Sequence, residues 1–387
     1  MDRMREFAAD LADGLGKVAS KFVQDAVIGI YQAKSVNLTE VAHALNEDIA
    51  IHATQKRLSR NLGRADLRNA VTQRLLTIAA RRVRTDTPLI VHVRDLSKRY
   101  ARKMQYLLPQ TSSDSDKSSG YRICEIVASE PGTDRYVPIT THLWSSHAPG
   151  FVSDSDEIIA TIARVLSATN GRGIIYPNYS VFQHTTTVAQ LASIRDMRAL
   201  ISIAPNFGDQ WLHRKQLLGR TEAIAACDTP YGMTVYKMHP DGLEDHVFLE
   251  LGAIQGAHCE CPEQPGSLCV VRYDSPSLRD SNTEPALYFS TMPLKNNRAT
   301  MKTVAGCFAA AEHTVDANVE HKNRYNLVGF RVLSYGRMQT LLALLQATTF
   351  FEAAISRQAR VERLSGSLEP QSGDHPRTFL MPEAVNS

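Results

Sequence analysis

No long apolar run, no phosphate-binding loop and no paired-cysteine framework marks this chain. Its apolar stretches fall short of the roughly 18 to 20 residues that a membrane span needs. The start, MDRMREFAADLADGLGK, mixes acids with bases and holds no apolar segment, so no signal peptide and no membrane are expected. No G-x-x-x-x-G-K-[ST] loop is present, which excludes a P-loop ATPase on motif. No G-x-S-x-G elbow occurs either. His142, His147 and His184 are scattered without a His-x3-His pair, and carry no assigned role. Six cysteines in 387 residues make no disulfide framework, so a reducing cytosol is the expected setting. The net charge of +3 decides little, and no internal repeat is visible.

What is present is a large core and an uneven charge. A chain with 43% hydrophobic and 21% charged residues is ordinary for a globular protein, and its length suits two or three structural units. From Lys56 to Lys103 fourteen Lys or Arg stand against three acids, Asp66, Asp86 and Asp95. Such a run is often a solvated helix face, but here it follows a recognisable helical unit, and a polyanion such as nucleic acid is the expected partner.

That unit is read from periodicity. Residues 4–33 have apolar positions near helical spacing and predict one helix. Asn37 followed by Glu40 resembles a capping box and opens the short helix LTEVAHAL. After the turn-rich NEDIAIH, the basic ATQKRLSRNLG predicts a second short helix ended by Gly63. Two short helices around a turn, the second basic, fit a helix-turn-helix-like DNA-binding unit. A third helix over 66–84 leads into the core. There PLIVHV (88–93), YRICEIVAS (121–129) and YVPITTHLW (136–144) read as strands. DEIIATIARVLSA, opened by Asp154 and Ser155, reads as a helix, GIIY (173–176) as a buried strand, 182–194 as a helix and ALISIA (199–204) as a strand. The order β, β, β, α, β, α, β is that of an α/β RNase H-like core.

The expected organisation is an N-terminal helical DNA-binding domain (1–85) and a first core segment (86–204). A β-rich insertion (205–297), C-terminal helices completing the core (298–360) and a disordered tail (361–387) follow. In the insertion, AHCECPEQPGSLC offers His258, Cys259, Cys261 and Cys269 as a zinc candidate. Its Cys-x-Cys spacing is tighter than usual, so reduced cysteines on a hairpin are the competing reading.

With these elements in order, the sequence resembles DDE transposases of the cut-and-paste insertion-sequence type over about residues 20–355. The carriers are VIGIYQAKSVNLTEVAHALNEDIAIHATQKRLSRNL at the start, DLSKRYARKMQYL after the first strand, and PLKNNRATMKTVAGCF with NLVGFRVLSYGRMQTLLALL at the end. The resemblance implies three carboxylates holding two divalent metals, Mg²⁺ by preference, for in-line displacement on DNA. Placing DLSK on the family's second Asp and Lys puts the first catalytic position at His92. The strand GIIYPNYS, with Tyr179, puts the second at Tyr176, and no acid lies between Gly171 and Ser193. Setting the family's last-helix Lys at Lys322 puts the third at Val315; a one-residue slip would make it Asp316. Asp95 lies three residues from His92 on a strand and so faces the other way.

The resemblance therefore implies a transposase fold without its carboxylates and without a cofactor. The expected protein is a catalytically inactive, transposase-derived DNA-binding protein, domesticated for regulation, defence or DNA-end architecture. It would be cytoplasmic and nucleoid-associated, and it would bind double-stranded DNA, as a homodimer if it follows the family. Its expected DNA contacts are Lys56, Arg57, Arg60 and Arg64, then Arg81, Arg82 and Arg84, with Lys98, Arg99 and Lys322. Two alternatives stay open. One is an active Mg²⁺-dependent nuclease or transposase with relocated acids, Asp95, Asp209 and Asp316. The other is a protein- or RNA-binding scaffold.

Overall fold

The computed structural model describes residues 2–99, 103–110, 118–130, 135–178, 181, 188–194, 196–203, 210–238, 244–274 and 284–356. Asp209 and the 361–387 tail fall outside these residues, as do the side chains of Lys98 and Arg99.

Five helices come first: α1 (Asp2–Leu11), α2 (Lys17–Ala33), α3 (Leu38–Leu45), α4 (Ile51–Leu62) and α5 (Ala65–Ala80). The single helix expected over 4–33 is two, because Gly14 takes φ +79°, a left-handed turn that breaks the helical path. Asn37 caps α3: its side chain accepts from the Thr39 N–H at 3.1 Å and donates to Glu40 at 3.1 Å. This is the expected start with the Glu turned to the cap's side chain instead of its backbone. Gly63 ends α4 as expected.

The core follows with β1 (Pro88–Arg99), β2 (Leu108–Gln110), β3 (Ser118–Ser129), β4 (Tyr136–Trp144), α6 (Asp154–Thr169), β5 (Ile174–Pro177), α7 (Val188–Ala192) and β6 (Leu200–Ile203). Helix α6 is capped by Ser153, whose hydroxyl accepts from the Asp156 N–H at 3.1 Å. The first sheet runs β4-β3-β1-β5, with the short β2 on β3. Strand β1 is antiparallel to β3 and parallel to β5, and a parallel bridge from Ile175 to Ala199 sets the approach to β6 beside β5.

Next come β7 (Trp211–His213), β8 (Gln216–Leu218), α8 (Arg220–Ala225), β9 (Tyr231–Met238), β10 (Glu244–His258), β11 (Gly266–Asp274) and β12 (Ala286–Ser290). They form a second sheet, β6-β12-β11-β10-β7-β8, with β9 also on β10. The β-rich segment is thus hydrogen-bonded to the core through β6 and β12. The described chain ends with α9 (Arg298–Asn323), a 3-10 turn, α10 (Tyr335–Phe350) and a π turn over Phe351–Ser356.

Helix α9 packs on β1, β3, β4 and β5 of the first sheet and on β9 and β10 of the second. Its residues Met301, Val304, Ala305, Ala311 and Val315 share an apolar cluster with Ile90, Tyr176, Leu249 and Tyr288. Helix α10 packs on β4, α2 and α5. Residues Tyr335–Ile355 are long and apolar enough to cross a membrane, a feature the run lengths did not predict; 83% of the apolar 18-residue window within them is buried inside the protein. The Phe7 ring lies 5.9 Å from Phe350 and 5.5 Å from Phe351. Helices α1–α5 therefore share one continuous core with the sheet and α10. The boundary expected near residue 85 is a change of secondary structure, without a break in that core.

Candidate functional site

Of the three positions where the resemblance would place carboxylates, Tyr176 and Val315 share one apolar cluster, and His92 lies on the same sheet face as Tyr176, one strand away. Side chains alternate along β1, so Ile90, His92 and Arg94 share one face. The antiparallel register sets His92 opposite Glu125 of β3, and the parallel register sets Ile90 opposite Tyr176 of β5. Helix α9 crosses this face and brings Val315 into the apolar cluster that holds Tyr176. Tyr176 donates its hydroxyl to the Tyr288 hydroxyl at 3.1 Å. An imidazole, a phenol and an apolar residue stand at the positions where a metal site would need acids.

The carboxylate that this face does bury is Glu125, a residue the sequence reading did not single out. Its side chain is 1% exposed and pairs with the Nζ of Lys322, which is 0% exposed. Arg94 Nε donates to the other carboxylate oxygen at 2.9 Å. Lys322 also donates to Thr141 Oγ1 at 2.5 Å, and that hydroxyl donates to Gln346 Oε1 on α10 at 2.6 Å. Burial alone would push the Glu125 carboxyl up; Lys322 and Arg94 outweigh it and hold it well below the usual carboxylate range. Burial pushes the His92 imidazole down, against the upward pull of Glu125 and Asp316, so His92 is neutral at pH 7. The face carries two cations against one ionised buried acid.

This donor set does not fit Mg²⁺. A hard dication takes several oxygen ligands, mostly carboxylate and water. Here the buried carboxylate is neutralised by two side-chain cations, and His92 is a nitrogen ligand. Among the described residues no group of three His, Cys, Asp or Glu is placed to hold a metal. The relocated acids do not assemble either. Asp95 is on the opposite face of β1, opposite Arg122, whose Nε lies 3.8 Å from its carboxylate. Asp316 is exposed and acts on His92 from α9, on the other side of the strand from Asp95.

The zinc candidate separates. His258 ends β10, with its ring edge-on to Trp211. Cys269 on β11 is opposite Ala253, five residues back along β10, or about 17 Å at roughly 3.4 Å per residue. Cys259 is exposed, while Cys269 is buried and its thiol is pushed well up by desolvation. The hairpin register, invisible in the spacing of AHCECPEQPGSLC, is what holds Cys269 away from the turn that carries His258, Cys259 and Cys261.

The described side chains among the expected DNA contacts divide into four groups. Lys56 and Arg60 are exposed, one turn apart on the outer face of α4, and Arg64 follows at the start of α5 with Asp66 at 3.2 Å. Arg57 points inward and is held by Asp25 at 2.7 Å and Glu47 at 2.6 Å. It is a structural cation between α2, α4 and the α3–α4 turn. Arg81, Arg82 and Arg84 are exposed at the far end of α5. That helix has 16 residues, so they lie about 24 Å from Arg64. Lys322 is corrected outright: a fully buried ammonium paired with Glu125 offers nothing to a phosphate.

Comparison with known proteins adds little. No family model matches the chain, and no curated protein matches it. Among solved structures the chain is similar to the cryo-EM structure of a piggyBac transposase synaptic complex with hairpin DNA. That likeness has TM-score 0.36 and 8% identity over 92% of this chain and 78% of that one, too slight to carry a functional argument.

Proposed function

We propose that the chain is a transposase-derived DNA-binding protein that has lost transposition chemistry. The strand order β4-β3-β1-β5-β6, with the first three strands antiparallel and the last two approaching in parallel, supports the reading of an RNase H-like core. Helix α9 crossing β1 and β5 supports it further, since this is where the resemblance puts the third carboxylate. The observation that carries the proposal is one sheet face on which His92 stands opposite Glu125 of the buried Lys322–Glu125–Arg94 network, while Tyr176 and Val315 share an apolar cluster with Ile90. The side chains at the three positions are an imidazole, a phenol and an isopropyl group, and the buried acid nearest His92 is held by two cations, which supports a reading without metal chemistry. Each lost metal ligand costs orders of magnitude in rate, at about 1.4 kcal/mol per tenfold.

DNA binding is supported by the outer face of α4, where Lys56 and Arg60 make no ion pair among the described residues. Phosphate contacts of this kind give affinity and a salt dependence, and base contacts are needed for sequence preference. Incubating supercoiled plasmid with the protein in Mg²⁺ or Mn²⁺ tests the loss of chemistry. The expected result is a retarded but uncut plasmid; nicking that disappears with Asp316→Ala would overturn it.

A further inference from the structure

Three acid-free segments of the sequence touch one another through described residues. No Asp or Glu occurs in 49–65, 96–113 or 321–351. The Arg337 side chain of α10 lies over the end of α4, with Nη1 3.4 Å from Ser59 Oγ, and a Cβ on Gly63 would come 3.2 Å from its Nε. Two residues earlier, the Tyr335 N–H donates to Gln105 Oε1 at 3.1 Å, and the Gln105 N–H donates to the Leu333 carbonyl at 3.0 Å. The turn before β2 is thereby fastened to the start of α10. The surface runs from Lys56 and Arg60 on α4, past Arg337, to Arg331 and Lys103. Lys103 and Arg331 are exposed and make no ion pair among the described residues.

Charge alone would suit any polyanion, but two apolar groups are set into this surface. Leu333 is 58% exposed and Tyr106 is 38% exposed. Tyr106 takes φ +58°, an uncommon conformation for a non-glycine residue, and its ring stands edge-on to Tyr335 at 5.6 Å. An aromatic held this way, three residues from Lys103 and next to Gln105, which is bonded to Leu333 two residues from Arg331, fits a partner that pairs phosphates with flat apolar faces. Bases are such faces, but in an intact duplex they are hidden in the stack. They are open in a single-stranded segment, where stacking on an aromatic adds affinity with little sequence preference.

We infer that this surface binds a duplex continuing into a single strand. The duplex lies on α4, and an unpaired base stacks on Tyr106 between Lys103 and Arg331. The inference rests on the DNA-binding reading and deepens it by naming the form of the DNA. The test compares a blunt duplex with the same duplex bearing a single-stranded tail, by fluorescence anisotropy at fixed salt. The tail is expected to tighten binding by the wild-type protein about tenfold. Tyr106→Ala should erase that gain with blunt-duplex affinity unchanged, Tyr106→Phe should keep it, and Lys103→Gln/Arg331→Gln should reduce it. If Tyr106→Ala does not fold, the double variant at these two exposed positions decides. Blunt binding with no gain from the tail, or a gain that survives these changes, overturns the inference and leaves the DNA-binding reading standing. Failure of the wild type to bind either DNA overturns both.

Discussion

Glu125→Gln tests the buried network directly. The substitution keeps the shape of the side chain and removes its charge, leaving Lys322 with no anion in a site where its side chain is 0% exposed. Arg94 is less enclosed, with its side chain 17% exposed, although its Nη2 is buried without a partner among the described residues. Removing one partner of a buried ion pair costs about 3–5 kcal/mol, chiefly because the other charge stays buried. Unfolding entropy near the midpoint is about 2.1 cal/mol/K per residue, which for 387 residues is about 0.8 kcal/mol/K. The expected fall in Tm is then about 4–6 °C, with the matching loss of stability read from urea denaturation. The control is Glu125→Leu with Lys322→Met, which removes both charges and should recover most of the loss, since apolar replacement of a buried pair is often close to neutral. A single variant within about 1 kcal/mol of wild type, a threshold below the usual cost of an unpaired buried charge, would refute the argument. So would a double variant no better than the single.

His92 should shape the pH dependence of stability. Its folded pKa is lowered by burial, so the unfolded chain binds more protons once the pH falls below the unfolded value of about 6.5. Stability is therefore lost on going from pH 7 toward pH 5, and His92→Phe should flatten that loss in urea melts. His142, lowered for the same reason, should account for part of what remains. Glu125 acts elsewhere: its contribution is present above the unfolded carboxylate pKa and is lost as pH falls through its lower folded value, so it adds no slope between pH 7 and 5. On α4 the two kinds of cation should separate. Lys56→Gln/Arg60→Gln should weaken duplex binding and lower the salt slope by about 2 with stability unchanged. Arg57→Ala should instead cost about 1–2 kcal/mol of stability, because its partly buried guanidinium bridges Asp25 and Glu47.

The sequence carried the local elements well because their causes are local. Caps such as Asn37, the stop at Gly63 and the apolar strands around His92 all depend on near neighbours. It also separated Asp95 from His92 correctly, because alternation along a strand needs no tertiary knowledge. It failed where the partner is distant. Lys322 reads as a surface lysine on a helix until Glu125, 197 residues away, is placed beside it. Arg57 reads as a phosphate contact until Asp25 and Glu47 claim it. Glu125 did leave a signal: a lone acid inside YRICEIVAS must find a cation if that strand is buried. The four zinc-candidate residues are close in sequence, yet the β10–β11 register holds Cys269 opposite Ala253. The basic run from Lys56 to Lys103 is continuous in sequence but spread over both ends of α5.

Exposure of the protein to a random-sequence duplex library, in EDTA and in Mg²⁺, with bound and cleaved molecules both sequenced, tests the central claim most directly. The account predicts retained duplexes in both conditions and no Mg²⁺-dependent ends. Cleavage that requires Mg²⁺ would contradict the reading of His92, Tyr176 and Val315 as a lost metal site, and absence of retained DNA at moderate salt would contradict the assignment of α4 as a DNA-binding face.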